Sequence, residues 1–434
     1  MDSNKKINCR SDSSSEDLPA EKKKKIINCL KCKAKPHNVN IRKNYPLCKE
    51  CFLSFMQHKF RTNIGQAKKV KKGVNVLIAL SGGNCSRALL DIFYKYHKGA
   101  ENPKSGKIQR FKDIAVAYID DSIITGESHV QKIKEIVTPY DIPLLIRPIE
   151  DIFSISLDDN NDNYKIITVK NKDGKKELEI SQNTNIDNKT AMKELYESIP
   201  LLADKECLIN NIRLVLLNYM AKISKYPVLC LGDSSTKVAI DVISNTCKGR
   251  GSSLPEDIAS ETELLKDVVI IKPGKTLLKE EFIQYNEYFD LDYIPEKQYN
   301  SSEIAKSIDL ISAGFISDLQ ENFPSTVTTV VSTANKITVE EENYSSYHCS
   351  LCLCPIRKDS EKWLASNSIT EVKDRTDYNY DHTEVYKNIP KYYQYLCFNC
   401  HILIDSINLQ ENQTVYLPYY VAEKINKYIS ASSS

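Results

Sequence analysis

Short runs that are apolar at nearly every position recur along this chain, at residues 74–80, 114–119, 144–149, 228–231 and 268–271. Between several of them the apolar residues follow helical spacing instead. Residues 207–225 are the clearest case, with Leu208, Ile212, Val215 or Leu216, Tyr219 and Ile223 on one face. A strand without polar alternation has both faces covered. Such strands alternating with amphipathic helices predict an α/β fold with a parallel sheet between helical layers.

The polar stretches set the expected boundaries. Residues 1–25 are rich in Ser, Asp, Glu and Lys and end in four lysines, which reads as a disordered tail. Residues 26–72 form a small Cys-rich module followed by a basic helix, and 73–335 the α/β domain. Within that domain, 98–110 reads as a surface loop. Residues 157–190 read as an insertion crowded with Asn, Asp and Lys, where Asp173-Gly174 marks a small hairpin. A second Cys-rich module is expected over 336–410 and a C-terminal tail over 411–434.

Composition narrows the function class. The 434 residues carry a formal net charge of +2, so nucleic-acid binding must come from local basic clusters. The N-terminus has no apolar signal core, and no run reaches the about 18 apolar residues of a membrane span. Fourteen cysteines in a chain read as unsecreted point to metal or thiol chemistry in a reducing cytosol more than to disulfides.

Cys29-x-x-Cys32 and Cys48-x-x-Cys51, fifteen residues apart, fit a four-thiolate zinc site, since each pair puts two sulfurs on one turn. Four protein sulfurs leave no open position, so the site is expected to be structural. Cys349-x-x-Cys352 and Cys397-x-x-Cys400 repeat the theme with a longer spacer, and Cys354 and His401 offer competing ligands. Reduced, metal-free cysteines are the plain alternative for both, and thiolate geometry alone leaves iron open at the second. Cys230 reads as core. Cys207, at a helix start, and Cys247, beside Lys248 and Arg250, are either packing residues or activated thiols.

Residues 74–93 hold the most specific pattern. A strand ends in Ser81-Gly82-Gly83 and a helix begins at once, which aims free backbone N–H groups and a helix dipole at one spot suited to phosphate. A second strand-to-helix loop, Gly232-Asp233-Ser234-Ser235-Thr236-Lys237, follows 228–231. Two such loops at the carboxyl ends of parallel strands are where open α/β sheets bind ligands. Asp233 or Ser234 acting only as a helix cap is the structural alternative.

Ser81-Gly82-Gly83-x-x-Ser86 resembles the phosphate loop of adenylating ATP pyrophosphatases, which reads Ser-Gly-Gly-x-Asp-Ser, with Cys85 standing where Asp is usual. The wider chain, over roughly 27–405, resembles the second subunit of the cytosolic tRNA wobble-uridine 2-thiolation complex. The double Cys-x-x-Cys, the altered loop, the run 231–240, Lys248-Gly249-Arg250-Gly251, residues 323–327 and the C-terminal cysteines carry that resemblance. It implies a doubly wound parallel sheet of the ATP-pyrophosphatase type, flanked by N- and C-terminal zinc modules of four cysteines each. It also implies a cytoplasmic complex that adenylates uridine 34 with ATP and magnesium. Sulfur from a thiocarboxylated ubiquitin-like carrier then gives 2-thiouridine in the tRNAs for lysine, glutamate and glutamine.

With Cys85 in the loop, and no Cys-x-x-Cys between 74 and 335, this chain reads as the noncatalytic partner of a catalytic paralogue. Ser81, Gly82, Gly83, Ser86 and Asp233 form its degenerate nucleotide site. The tRNA contact is expected from Lys59, Arg61, Lys68, Lys69, Lys71 and Lys72, which lie in fifteen residues without an acid, joined by Lys248 and Arg250. A solvated helix face is the bland reading of that stretch. Two other classes remain: an independently active ATP-dependent sulfurtransferase using Cys85 or Cys247, and a zinc-dependent RNA-binding module on a dead enzyme fold.

Overall fold

The computed structural model describes residues 28–37, 39–41, 45–101, 111–157, 165–172, 175–182, 187–337, 344–358, 394–410 and 413–432. The chain forms two compact units, Met1–Cys51 and Phe52–Ser434. The expected N-terminal tail lies outside the described residues.

In the first unit a cysteine turn precedes an antiparallel pair, β1 (Val39–Ile41) and β2 (Tyr45–Leu47). Leu30 N–H bonds the Pro46 carbonyl at 2.9 Å, which ties the turn to the pair. Helix α1 (Lys49–Gln66) starts directly after Cys48.

The second unit is built on a six-stranded sheet of β3 (Val74–Ala79), β4 (Phe111–Asp120), β5 (Leu144–Pro148), β8 (Val228–Cys230), β9 (Glu261–Leu265) and β10 (Val268–Ile271). Its order is β5-β4-β3-β8-β10-β9, and every pairing is parallel except β9 with β10. The chain winds outward from β3 to β5, then returns to the other side of β3 for β8. That reversal defines a switch point between β3 and β8. Val76, Leu77 and Ile78 in β3 and all three residues of β8 are buried, which is why these runs lack polar alternation.

Helices α2 (Asn84–Glu101), α3 (Ser122–Thr125), α4 (Val130–Val137), α5 (Asn188–Ser198), α6 (Leu202–Ile223), α7 (Ser235–Cys247) and α8 (Leu254–Ile258) connect or cover these strands. They are followed by α9 (Lys279–Phe289), α10 (Ser301–Ile304), α11 (Ile308–Asn322) and α12 (Thr326–Ala334). The doubly wound α/β class is as the sequence implies. The apolar face of 207–225 lies within α6, where Leu208, Ile212, Val215 and Leu216 are fully buried.

The insertion carries its expected hairpin, and two later boundaries differ from the sequence reading. The insertion forms β6 (Lys165–Lys172) and β7 (Lys175–Gln182), paired through to Lys172 opposite Lys175, on either side of the dipeptide outside the described residues. The stretch expected as a C-terminal tail instead carries β13 (Val415–Leu417), which adds to β6, and a closing helix over Tyr419–Ser432. In that helix Tyr419, Tyr420, Val421, Ala422 and Ile425 are buried. The C-terminal cysteines belong to the same core as Leu77 and Ala115, so they do not form a separate module. Tyr420 shows why: its hydroxyl donates to the Leu351 carbonyl at 2.6 Å from full burial, binding helix, cysteine turn and sheet core together. The remaining elements of that region are β11 (Tyr344–His348), β12 (Pro355–Arg357) and a helix over Phe398–Ser406.

Candidate phosphate crevice and thiolate sites

Both strand-to-helix loops lie at the switch point. Residues 81–83 link β3 to α2, and 232–234 link β8 to α7. They are in contact, since a Cβ on Gly232 would stand 3.0 Å from the Ser86 Cα. A side chain at 232 would crowd this approach and push the two loops apart by a few tenths of an ångström. Gly82 has φ +82°, and the loop's polar groups bond one another. Ser86 Oγ donates to the Gly83 carbonyl at 3.1 Å and lies 3.0 Å from Ser81 Oγ. Cys85, in the first turn of α2, is partly buried, and that burial pushes its thiol up to about 11. Its Sγ is therefore a neutral thiol at ordinary pH.

In the second loop Ser234 caps α7, its Oγ accepting from Lys237 N–H at 3.1 Å. Asp233 accepts from Lys272 Nζ at 3.1 Å. Against the cost of burial, the Lys272 and Lys237 charges hold its carboxyl below the usual range. Lys237 pairs in turn with Asp241. Asp233 is thus ionised and already neutralised within the fold.

The segment from Asp290 to Asn300 lies on this site. Ile294 N–H donates to the Gly82 carbonyl at 2.8 Å, and its Cδ1 would be 2.3 Å from a Cβ on Gly82. Arg87 Nε donates to the Asp292 carbonyl at 3.1 Å. Lys132 pairs with Asp292 at 3.1 Å, and Lys279 with Glu296 at 2.7 Å. Sequence inspection misses these residues because the segment has no periodicity, and its partners on α2 and α4 lie more than 150 residues away in the chain.

Each set of four cysteines converges. Cys29, Cys32, Cys48 and Cys51 have sulfurs within 4.8 Å of one another, and so do Cys349, Cys352, Cys397 and Cys400. The contacts Cys32–Cys48 at 3.8 Å and Cys352–Cys397 at 3.6 Å match the edge of about 3.8 Å that a tetrahedron with metal–sulfur bonds of about 2.3 Å requires. The two sites share one local design. In each first pair the residue after the second cysteine is left-handed, Lys33 at φ 57° and Leu353 at φ 63°. Its N–H donates to the carbonyl of the first cysteine, at 2.8 Å and 2.9 Å respectively. Each second pair straddles a helix start, α1 or the helix Phe398–Ser406, where N–H groups favour thiolate. Burial and the adjacent sulfurs push Cys51 up to about 12, a cost a bound dication would remove.

His401 stands outside the second set and faces Asp405 at 3.2 Å. Cys354 is not one of the four convergent sulfurs, but it touches Cys352 and accepts from Arg250 Nη2 at 2.9 Å. Cys207 accepts from Asn399 Nδ2 at 2.8 Å and is raised by burial. Cys230 is buried in β8 and raised, as a core thiol should be. Cys247 is exposed.

Comparison with known proteins agrees with this fold. The family model described as cytoplasmic tRNA 2-thiolation protein 2 matches residues 307–402, which hold α11, α12 and the C-terminal cysteine set. The relative of that description from Danio rerio is 28% identical over 372 residues, covering 77% of this chain and 73% of its own length. The one from Homo sapiens is 26% identical over 392 residues, with 80% and 75% covered. Over 77% of its length the chain is thus similar to a protein described as cytoplasmic tRNA 2-thiolation protein 2. Its fold is similar to that of the U34-tRNA thiolase NcsA from Methanococcus maripaludis, solved with its [4Fe-4S] cluster. That likeness has a TM-score of 0.51 at 20% identity, over 72% of this chain and 90% of the other.

In α1, Phe52, Met56, Phe60 and Ile64 are buried at a spacing of four, and Phe60 packs edge-on against Phe93 at 5.4 Å. Arg61 is exposed on the other face and Lys59 is half-buried. The helix stops at Gln66, so Lys68, Lys69, Lys71 and Lys72 lie beyond it and not on it. Lys68 and Lys69 N–H groups donate to the Glu261 carboxylate at 3.1 Å and 2.9 Å, leaving their exposed side chains to solvent. Lys248 and Arg250 are placed differently from the free basic surface the sequence suggested. Lys248 pairs with Asp309 at 2.7 Å and Arg250 with Asp257 at 2.6 Å, each cation side chain only 10% exposed. No helix among the described residues is long and apolar enough to cross a membrane.

Proposed function

We propose that this chain is the noncatalytic subunit of a cytoplasmic complex that makes 2-thiouridine at wobble uridine 34 of the tRNAs for lysine, glutamate and glutamine. The carrying observation is a switch-point crevice that keeps its Gly82-Gly83 turn while Cys85, a neutral packed thiol, stands where the phosphate loop's carboxylate belongs. Similarity to proteins described as cytoplasmic tRNA 2-thiolation protein 2 supports this class of reaction. In this reading a catalytic paralogue adenylates the uridine with ATP and magnesium, and a thiocarboxylated ubiquitin-like carrier supplies the sulfur.

The crevice residues Ser81, Gly82, Gly83, Ser86 and Asp233 form a degenerate nucleotide site that lacks an acid, base or activated nucleophile of its own. Lys59, Arg61, Lys68, Lys69, Lys71 and Lys72 bind tRNA phosphates; all but the half-buried Lys59 are exposed, and such cations gain from counterion release. Lys248 and Arg250 leave that role because their charges are paired inside the fold. Zinc in the two four-thiolate sites holds each pair of turns together. The close S···S spacing supports a single ion over a four-iron cluster, which puts each thiolate on a different iron.

The test is 2-thiouridine content of wobble-position tRNA in cells lacking this chain, with either wild type or the double variant Gly82→Asp/Ser86→Ala returned. Loss on deletion and recovery with wild type is expected. Unchanged thiouridine on deletion overturns the assignment. Recovery with a stably folded double variant identifies the chain as a scaffold whose crevice is vestigial.

A further inference from the structure

The loop that should hold phosphate is covered by this chain's own residues. Its two hydroxyls bond each other, and that of Ser86 also donates to the Gly83 carbonyl. The Gly82 carbonyl is taken by Ile294 N–H, and the isoleucine side chain fills the space where a Cβ on Gly82 would be. Two lysines flank the crevice: Lys132 on α4, next to Ile133, whose Cδ1 would lie 3.0 Å from a Cβ on Gly82, and Lys279 at the start of α9, whose N–H donates to Thr236 Oγ1 at the second loop at 3.1 Å. Both ammonium groups face carboxylates of one segment, Asp292 and Glu296, four residues apart on either side of Ile294. Arg87, buried behind the loop, anchors that segment through the Asp292 carbonyl. A bonded carbonyl, an apolar contact and two carboxylate–ammonium pairs thus converge on one short stretch of chain.

We propose that residues 290–299 are an internal plug for the phosphate loop, with Asp292 and Glu296 holding the cations that an incoming pyrophosphate group would otherwise engage. This inference rests on reading the crevice as a degenerate nucleotide site. The ligand it excludes is a nucleoside triphosphate or free pyrophosphate. Entry requires both ion pairs to part and Ile294 to lift from Gly82. The pairs are exposed enough that each contributes little to stability, Asp292 at 84% and Glu296 at 59%, so the plug is displaceable.

Calorimetric titration of the full chain with magnesium pyrophosphate, and separately with magnesium ATP, tests this. Wild type is compared with D292N/E296Q and with I294A. At least tenfold tighter binding is expected for D292N/E296Q and a smaller gain for I294A, with unchanged melting temperature. ATP should also speed tryptic cleavage after Lys297 in wild type, as the plug leaves the loop. Equal affinity for wild type and both folded variants overturns the plug, as does failure of all three to bind either probe. Neither result touches the thiouridine experiment, so loss of the plug and loss of the assigned pathway are told apart. If I294A does not fold, the exposed-site variant D292N/E296Q carries the decision.

Discussion

Cys85 and Asp233 show how single positions settle what the crevice can do. A thiol pushed up to about 11 by burial is no nucleophile near neutral pH, and a carboxylate already bonded to Lys272 is no general base. Lys275 is the unexpected titratable group. It is 4% exposed, its Nζ donates to Asn335 at 2.7 Å, and burial, with help from Lys272, lowers it from 10.5 to about 8. Because the folded value lies below the unfolded one, the unfolded chain holds the extra proton between about pH 8 and 10.5. Lys275 therefore weakens the fold fully below pH 8, and that penalty fades as pH rises through this window. Urea unfolding at pH 7 and pH 10.5 should show Lys275→Met stabilising at the lower pH, with the difference from wild type shrinking at the higher one. A difference independent of pH refutes the buried-charge account.

At the scale of elements, the stretch from α1 to β3 divides its labour by position. The spacing of Phe52, Met56, Phe60 and Ile64 buries one face, and Asn63 secures the helix end by donating to the Pro273 carbonyl at 2.6 Å. The lysines that follow are held by their backbone while their ammonium groups stay in solvent. Replacing Lys68, Lys69, Lys71 and Lys72 with alanine should weaken tRNA binding at low salt. It should also reduce the slope of log K against log salt by about 0.7–0.9 for each phosphate no longer neutralised. Filter binding from 50 to 200 mM salt reads this directly. An unchanged slope assigns the stretch to plain solvation.

Across the whole molecule, the C-terminal thiolate set is fastened to the sheet core. Arg250 bridges the two, with Nε and Nη2 on the Asp257 carboxylate at 2.6 Å and 2.9 Å and Nη2 on Cys354 at 2.9 Å. Gly249, at φ +73°, lets the loop pass Phe398, whose Cε1 would lie 2.2 Å from any Cβ there. Removing one partner of a buried pair strands the other, at a cost on the order of 3–5 kcal/mol. Arg250→Ala should therefore destabilise the fold by that order. It should also speed metal release to a chromogenic chelator, while Arg250→Lys recovers part of the stability. Unaltered unfolding and release would mean the bridge is incidental.

Several features were legible in the sequence because they depend on neighbours in the chain. The strands of the parallel sheet follow from unbroken apolar runs, and both crevice loops from the order strand, glycine, helix. The cysteine pairs follow from a spacing that fits one turn. Tertiary structure decided the rest, where contacts join residues hundreds of positions apart. It placed β13 beside β6, with Glu423 accepting from Leu157 N–H across 266 residues, and so turned an expected tail into part of the core. It withdrew Lys248 and Arg250 from solvent by setting acids against them. It also laid Ile294 on Gly82. Periodicity and spacing report the path of the backbone over a few turns. Which charge is free and which loop is open depend on what the rest of the chain brings to that surface.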